Sequence, residues 1–450
     1  MRAIYVLIVT LLFATGYLQA QGIVFEQGNW TDVLKKAKKQ KKLIFVHFDK
    51  PDCGTCSNVA SIAFNSSLIR EKFAQHFISF RTDGTTGIGK ELAEKLEVVC
   101  LPSSVYLDTD ESLLSRFCGS TSFDRAYLEK AEEAIKRKSE QPLAELAEAY
   151  KSGNRSSTLM RTYIGRLREM DLSLQDVLDD YIQSLPADSL QSADLMRFIL
   201  EQGPVVGSKA DLVLQRNYAR TDSLYRAAGW NKAIEYNNRI INNSLRKAVK
   251  EKDDVLASRT ATFKLRTYRN DLKAGTGGYE WVMMRYFKGI QDTLQYLRTA
   301  SSYYDSQFMT ARVDSIQKLD ELDNQRRMRG EMPVQNGTNK VSIKPGQISF
   351  MLNPNTQRYV GALNEAAWDF QQMTRDPVYL EKALTWSKRS LEYREDGSLL
   401  DTYAHILYRL GRKSEAVEWQ EKAVRKEKER SSPMVPSFEE TLKKMKTGTL

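Results

Sequence analysis

The sequence predicts an α/β domain followed by a larger all-α helical, repeat-like region. Between Trp30 and Lys138, stretches with helical spacing alternate with short apolar runs that are typical of strands. From Gln141 onward strand signals nearly vanish and helical spacings dominate. The four cysteines lie at positions 53, 56, 100 and 118, so any thiol chemistry belongs to the α/β domain.

The elements of the α/β domain are predicted in the order α, β, α, β, α, β, β, α. The helices are expected at Thr31–Gln40, Gly54–Gln75, Ile88–Leu96 and Ser122–Arg137, and the strands at Leu43–Phe48, Phe77–Arg81, Ser104–Leu107 and Leu113–Phe117. The run from residue 43 to 48 is short, apolar and bounded by charged residues, which predicts a buried central strand. Asp108–Glu111 is rich in turn-forming residues and predicts a hairpin between the last two strands. We therefore expect a mixed sheet with helices on both faces.

The remainder is predicted to be helical, with breaks where glycine and proline occur. These breaks are at Gly153, Pro186, Gly203-Pro204, Gly275–Gly278 and Gly330–Gly346. The chain is expected to comprise a signal peptide at 1–20, an α/β domain at 21–140, a helical region at 141–330, a linker at 331–350 and helical repeats at 351–450.

The N-terminus has the pattern of a secretory signal peptide. Arg2 precedes an apolar run from Ala3 to Ala14, and Leu18-Gln19-Ala20 then precedes Gln21. The apolar run is shorter than the roughly 20 residues that a membrane-spanning helix needs. We expect a soluble extracytoplasmic protein, with no stable membrane insertion after cleavage and with disulfides permitted.

Charge and motifs exclude several classes of function. The chain has 67 Lys+Arg and 57 Asp+Glu, a formal net charge of +10. Residues 21–140 hold 18 of the basic and 17 of the acidic residues, so this part is nearly neutral. The excess positive charge lies in the helical region without a dense basic block, which indicates solvated helix faces and no nucleic-acid partner. No phosphate-binding loop, dinucleotide fingerprint or metal-ligand set occurs, so we expect no cofactor and no metal.

A repeat lies near the C-terminus. Four positions recur 33 residues later, with Ala383, Leu384, Trp386 and Ser390 matched by Ala416, Val417, Trp419 and Ala423. Small residues at this spacing allow two helices to pack closely. The stretch from residue 400 to 423 resembles a tetratricopeptide repeat. The aromatic residues of this region are expected in the core of stacked helices, with a peptide-binding groove as the alternative; they are Trp368, Trp386, Trp419, Tyr403 and Tyr408.

Asp52-Cys53-Gly54-Thr55-Cys56 follows the predicted central strand and opens a helix. Unpaired N–H groups and the positive end of the helix dipole favour a thiolate at the first cysteine, and the second lies one turn further on. A zinc half-site is the alternative, but no second Cys-x-x-Cys follows. The spacing favours redox chemistry.

These residues resemble the thioredoxin family over roughly 25–138. The strand at 43–48, the Cys53/Cys56 motif, the run Glu97–Pro102 before a strand and Gly119 after the last strand follow the order of that family. An exported branch of the Bacteroidetes type, with a helical C-terminal region, is the most similar. The resemblance implies that Cys53 is the attacking nucleophile and Cys56 the resolving thiol.

Pro102 then matches the family's cis proline, and the backbone of Leu101 is implied to pair with the substrate. The alternative for Pro102 is an ordinary trans proline that opens a strand.

The departures from the family pattern concern the same site. Asp52 replaces the usual aromatic residue, and Gly54-Thr55 replaces Gly-Pro. The change at Asp52 either tunes the redox couple towards reducing character or only alters the docking surface. The carboxylate of Asp52 disfavours a thiolate at Cys53.

His47 stands where thioredoxins carry a buried acid that assists the resolving cysteine. Its imidazole either takes the proton of Cys56 or is a core histidine that hydrogen-bonds to backbone.

Cys100 and Cys118 form a possible second thiol pair at the edge of the site. They either form a disulfide, or stay free as packed small residues, or leave Cys100 as a regulatory thiol.

The sequence thus predicts a periplasmic thiol–disulfide oxidoreductase. Its expected partners are protein or peptide thiols and disulfides and a redox partner protein, positioned by the helical region. The alternative is a protein-binding or assembly scaffold with a thioredoxin-like module of little redox activity.

Overall fold

The computed structural model describes residues 22–50, 54–98, 100–329, 353–432 and 434–450. The predicted signal peptide at 1–20, the predicted linker at 331–350, and Asp52 and Cys53 lie outside these residues.

The described chain divides into two compact units. One contains the residues up to Gln202 together with Ser208–Leu224, and the other contains Gly203–Gly207 together with Tyr225–Leu450. The segment boundaries expected from the sequence stay predictions.

The first unit begins with a five-stranded mixed sheet. Its strands are β1 (Phe25–Glu26), β2 (Leu43–Asp49), β3 (Phe77–Asp83), β4 (Ser103–Leu107) and β5 (Leu113–Cys118). Its helices are α1 (Trp30–Gln40), α2 (Gly54–Phe64), α3 (Ser67–His76), α4 (Gly87–Lys95) and α5 (Asp124–Arg137). The strand order is β1-β3-β2-β4-β5, with β1 and β2 parallel to β3, and β4 antiparallel to both β2 and β5. The predicted mixed sheet is confirmed.

Strand β2 lies at the centre because six of its seven residues are buried. Side chains alternate between the two faces of a strand. Ile44, Val46 and Phe48 pack with residues of α1 and α4, whereas Leu43 and Phe45 pack with residues of α2, α3 and α5. Helices therefore cover both faces.

Two features of this sheet domain differ from the prediction. The helix expected at Gly54–Gln75 is two helices, because Ser66 has extended backbone angles (φ −67°, ψ 136°). Tertiary hydrogen bonds hold the break, since Ile23 N–H donates to Phe64 O at 2.8 Å and Ser66 Oγ donates to Asp124 Oδ2 at 2.6 Å. Strand β1 was not predicted, because two residues show no alternation.

Gly89 in α4 allows this helix to approach the end of β3. A Cβ at this position would lie 1.9 Å from the backbone oxygen of Asp83. We expect Gly89→Ala to lower the free energy of unfolding by about 1–3 kcal/mol, because the helix must move away from the sheet. The matched control is Gly165→Ala, where no atom lies within 4 Å of the added Cβ. There the change should stabilise the helix by up to about 1 kcal/mol. Urea unfolding of both variants checks this difference, and equal effects would contradict it.

Helices alone follow in the first unit. They are α6 (Leu143–Lys151), α7 (Ser157–Glu169), α8 (Gln175–Ser184), a 3₁₀ turn (Ala187–Gln191), α9 (Ala193–Gln202) and α10 (Lys209–Arg216). Arg137 is 6% exposed and links α5 to its neighbours, since it donates to Leu114 O at 2.7 Å and to Glu169 Oε2 at 2.9 Å. Helix α7 is thus linked to α5 of the sheet domain through Arg137.

The second unit consists of α-helices and one short π-helical stretch (Asp305–Met309). Helix α11 (Tyr218–Glu251) is kinked at Gly229, whose backbone angles are not helical (φ 77°, ψ 169°). The others are α12 (Asp254–Thr267), α13 (Leu272–Gly289), α14 (Thr293–Tyr304), α15 (Val313–Met328), α16 (Pro354–Met373), α17 (Pro377–Tyr393), α18 (Gly397–Arg409), α19 (Lys413–Glu429) and α20 (Val435–Thr447). The described residues from 141 onward contain no strand, which confirms the predicted run of helices. No helix in the part of the chain that the structure describes is both long and apolar enough to cross a membrane.

The break expected at Gly275–Gly278 is wrong, because these residues lie inside α13. Close packing accounts for two of the glycines. A Cβ at Gly277 would lie 2.5 Å from Gln307 Cδ, and one at Gly278 would lie 2.8 Å from the ring of Tyr268. The glycines allow contact with neighbouring helices and do not end this one.

The repeat positions lie in two helical hairpins, α16–α17 and α18–α19. Ala383, Ala416, Ala423 and Trp386 are fully buried. The ring of Trp386 packs edge-on against Phe370 at 4.8 Å, and Trp419 packs against Tyr403 at 4.7 Å. Trp386 lies in the core as expected, whereas Trp419 is only partly buried and packs against the core.

Candidate active site

The candidate site lies at one edge of the sheet, where β2 ends and β4 begins. Because the two strands are antiparallel, Phe48 pairs with Ser103 and His47 pairs with Ser104. Pro102, one residue before β4, is therefore adjacent to the end of β2. Gly54, Thr55 and Cys56 are the first three residues of α2, which follows β2. The topology brings the start of α2 and Pro102 to one edge.

The Leu101–Pro102 peptide bond is cis, as the family resemblance implies. Two glycines lie against this segment. Gly119 N–H donates to Pro102 O at 2.8 Å. A Cβ at Gly84 would lie 2.4 Å from Leu101 Cδ2. Gly84, which the sequence analysis missed, leaves room for the Leu101 side chain.

Cys100 and Cys118 are joined by a disulfide, with their Cα atoms 5.9 Å apart. Of the three alternatives for this pair, the structure has the disulfide. It connects the segment before Pro102 to the end of β5.

His47 is fully buried on the face of β2 that points towards α2, and its ring contacts the ring of Phe64 at 4.9 Å. Its Nδ1 lies 2.9 Å from Ser104 Oγ. Its Nε2 has no hydrogen-bond partner among the described residues and lies 3.7 Å from Asp49 Oδ1. The partner of His47 is thus a hydroxyl group and not backbone.

Burial determines the charge of His47. It lowers the pKa of His47 to about 4, with Asp49 acting in the opposite direction and Arg81 in the same direction. The imidazole is therefore neutral at pH 7.

An ion pair lies beside this neutral imidazole. Arg81 donates from Nε to Asp49 Oδ2 at 2.5 Å and from Nη2 to Asp49 Oδ1 at 2.8 Å. A third guanidinium nitrogen, Nη1, donates to Ser61 Oγ of α2 at 3.4 Å. The sequence analysis missed Asp49 and Arg81. Asp49 stands two residues after His47 and so shares its face of the strand, whereas the partner of Asp49 depends on strand pairing.

Among the residues that the structure describes, no group of three or more His, Cys, Asp or Glu side chains could hold a metal ion. The zinc alternative involves Cys53, which lies outside those residues.

A mixed sheet covered by helices on both faces, with a cis proline before β4, defines a thioredoxin-like fold. Residues 30–132 match the thioredoxin-like domain family. The chain is thus a thioredoxin-like domain followed by a long run of packed helices.

Two solved structures are similar to part of the chain. One is a Bacteroides thetaiotaomicron protein provisionally named a disulphide isomerase, with 26% identity and a TM-score of 0.24, over 27% of this chain and 98% of that chain. The other is the DsbH oxidoreductase, with 20% identity and a TM-score of 0.22, over 27% of this chain and 92% of that chain. No curated protein matches the chain.

Proposed function

We propose that the protein is an extracytoplasmic thiol–disulfide oxidoreductase that exchanges disulfides through Cys53 and Cys56. One observation carries the proposal. The helix that begins with the second half of the Cys-x-x-Cys motif and the cis Leu101–Pro102 segment lie at the same edge of a thioredoxin-like sheet. The partners are proteins or peptides with thiols or disulfides.

The proposed reaction has two exchange steps. The Cys53 thiolate attacks one sulfur of a substrate disulfide, and the other substrate sulfur leaves as a thiolate. The Cys56 thiolate then attacks Cys53 Sγ of the mixed disulfide, which releases the second substrate thiolate. Two electrons pass to the substrate, and a redox partner protein restores the dithiol. The reverse order oxidises a substrate.

In this reaction His47 accepts the proton of Cys56 only transiently and passes it on, since an imidazole with a pKa of about 4 does not stay protonated at pH 7. A neutral imidazole that donates from Nδ1 to Ser104 Oγ has its lone pair on Nε2. This is the nitrogen without a hydrogen-bond partner among the described residues. His47 faces α2, and Cys56 is the third residue of that helix. A neutral base therefore stands on the side of the sheet that α2 covers.

Acceleration of insulin reduction by dithiothreitol tests the proposal with the full mature chain. A clear acceleration supports it, and a rate equal to that of dithiothreitol alone overturns it. The reduction potential of the Cys53–Cys56 couple then distinguishes a reductase from an oxidase.

Arg81 is expected to keep the pKa of His47 low. In Arg81→Met the positive charge is lost while Asp49 remains, so the pKa of His47 should rise from about 4 by roughly one unit or more. The imidazole signals in an NMR titration measure this, and with three histidines in the chain they are readily assigned. The matched control is Arg125→Met, which removes an exposed arginine of α5. An unchanged pKa of His47 in Arg81→Met would contradict this role.

We propose that residues 1–20 are a signal peptide and that the protein works in the periplasm. The support is the apolar run after Arg2 together with the Cys100–Cys118 disulfide, which an oxidising compartment favours. Fractionation and N-terminal sequencing should find a mature chain that begins at Gln21. A full-length chain in the cytoplasm would overturn the proposal.

We also propose that the helical region positions the protein partners, with α16–α19 as tetratricopeptide-like repeats. The support is the pair of hairpins whose equivalent small residues are fully buried. Cross-linking of trapped mixed-disulfide complexes, followed by mass spectrometry, tests it. Partner cross-links to lysines of α16–α19 are expected, and cross-links confined to residues 30–132 would refute it.

A further inference from the structure

The Cys100–Cys118 disulfide is accessible to solvent. Cys118, the last residue of β5, is exposed, and Cys100 is partly exposed. A thiolate exchanges with a disulfide only when it can reach one of the sulfur atoms, and exposed disulfides are generally the labile ones. Cys118 is the more exposed residue of the two, which favours its sulfur as the point of attack.

Other contacts already hold the β4–β5 hairpin. The two strands pair from Ser103↔Cys118 to Leu107↔Leu113, and Ser103 Oγ donates to Phe117 O at 3.2 Å. Pro102 is held by the hydrogen bond from Gly119 N–H. What the disulfide adds is a covalent attachment of Cys100, the residue just before Leu101.

This attachment lies on the segment that is proposed to meet the substrate. Residues 100 and 101 precede β4 and have no partner in the register of the sheet. The disulfide ties the start of this segment to the neighbouring strand. Reduction would remove this covalent tie and leave the segment held by the packing of Leu101 and by the hydrogen bond to Pro102 O.

We propose that Cys100–Cys118 is a second thiol–disulfide exchange site, which dithiols reduce in the folded protein and whose reduction loosens the substrate-binding segment. The exchange itself is independent of Cys53 and Cys56. The effect on substrate binding rests on the function proposed above.

The reaction balances with a dithiol as reductant. One thiolate of the dithiol attacks Cys118 Sγ, the Cys100–Cys118 bond breaks and Cys100 leaves as a thiolate. The second thiolate then attacks the dithiol sulfur that is bound to Cys118, and Cys118 is released. The dithiol becomes a cyclic or protein disulfide, and two electrons have passed to the cysteine pair.

The first experiment isolates this pair in the full chain carrying Cys53→Ala and Cys56→Ala. The folded protein is incubated with dithiothreitol, quenched in acid, and its thiols are counted by the gel shift of a maleimide polymer. Two adducts per chain are expected at millimolar dithiothreitol, with an unchanged far-ultraviolet circular dichroism spectrum. Adducts that appear only in denaturant, or only with loss of that spectrum, overturn the exchange site.

The site of attack is tested with glutathione on the same variant. Mass spectrometry of the acid-quenched mixed disulfide should find glutathione on the peptide that contains Cys118. Glutathione found only on Cys100 would overturn the assignment of Cys118 as the attacked sulfur.

The effect on the substrate is tested without reductant, because dithiothreitol would reduce the pair in the reference protein as well. Binding of carboxymethylated insulin B chain, which has no free thiol, is compared between Cys53→Ala/Cys56→Ala and the same variant with Cys100→Ser/Cys118→Ser added. Freeing about one residue of backbone should raise the Kd about fivefold. An unchanged Kd, in a variant that is folded at the assay temperature, overturns the coupling. If the wild type is itself inactive, the coupling fails with the proposed function, while the thiol count still decides whether the pair exchanges.

Discussion

Cys53→Ala is expected to abolish the acceleration of insulin reduction, leaving the rate of dithiothreitol alone. No other side chain in the Asp52–Cys56 segment can form the mixed disulfide before Cys56 resolves it, so the loss should be complete. Cys56→Ala should have a different effect, because the mixed disulfide forms but is not resolved. Substrate proteins should then accumulate as covalent complexes that run at higher mass on a non-reducing gel.

The control for both variants is Glu94→Ala, which changes an exposed residue of α4 in the same domain. It should leave the rate unchanged. Residual activity in Cys53→Ala, or the same trapped complexes in Cys53→Ala and Cys56→Ala, would assign the exchange to other cysteines. The Cys100–Cys118 pair would then be the candidate, and combining Cys53→Ala with Cys118→Ser would test it.

The sheet was predictable where the sequence determines local structure. The run at 43–48 is apolar on both faces of the strand, and such a run reads as a central strand without any knowledge of its neighbours. The same holds for the long helical stretches after residue 141. The position of Pro102 beside the motif came from the resemblance to the thioredoxin family and not from the spacing of the elements.

The features that were missed depend on tertiary contacts. Strand β1 exists because Phe25 and Glu26 pair with β3. The break between α2 and α3 is held by hydrogen bonds from Ile23 N–H and to Asp124, which are distant in sequence. A helical propensity scale cannot contain such contacts.

In the candidate site, too, the sequence identified a residue, whereas its chemical state depends on tertiary contacts. The position of His47 in the motif identified it as a candidate base. The imidazole is neutral because it is buried, and its Nε2 lacks a hydrogen-bond partner among the described residues because Asp49 Oδ1 is 3.7 Å away. Neither feature is visible in the sequence. Arg81 becomes relevant only because the parallel register of β2 and β3 places it opposite His47.

Burial of His47 is expected to make the thioredoxin-like domain less stable as the pH falls from about 6.5 to about 4. The folded protein binds this proton only near pH 4, whereas the unfolded chain binds it at the ordinary pKa of 6.5. Between these values the unfolded state holds more protons, so the free energy of unfolding decreases with decreasing pH. Above pH 6.5 and below pH 4 this contribution does not change with pH. At about 1.4 kcal/mol for each pKa unit, the difference amounts to roughly 3 kcal/mol.

The variant His47→Gln tests this, because glutamine can still hydrogen-bond to Ser104 Oγ but does not titrate. Hydrogen exchange of peptides that cover β2 is compared between wild type and variant at the same pH, which cancels the intrinsic pH dependence of exchange. The wild type should lose protection relative to the variant as the pH is lowered from 7 to 4.5. Since carboxylates such as Asp49 titrate in both proteins, the difference between them isolates the histidine. A difference in protection that is independent of pH would show that the pKa of His47 does not change on folding. Complete burial of the imidazole would then not lower its proton affinity, which contradicts the prediction.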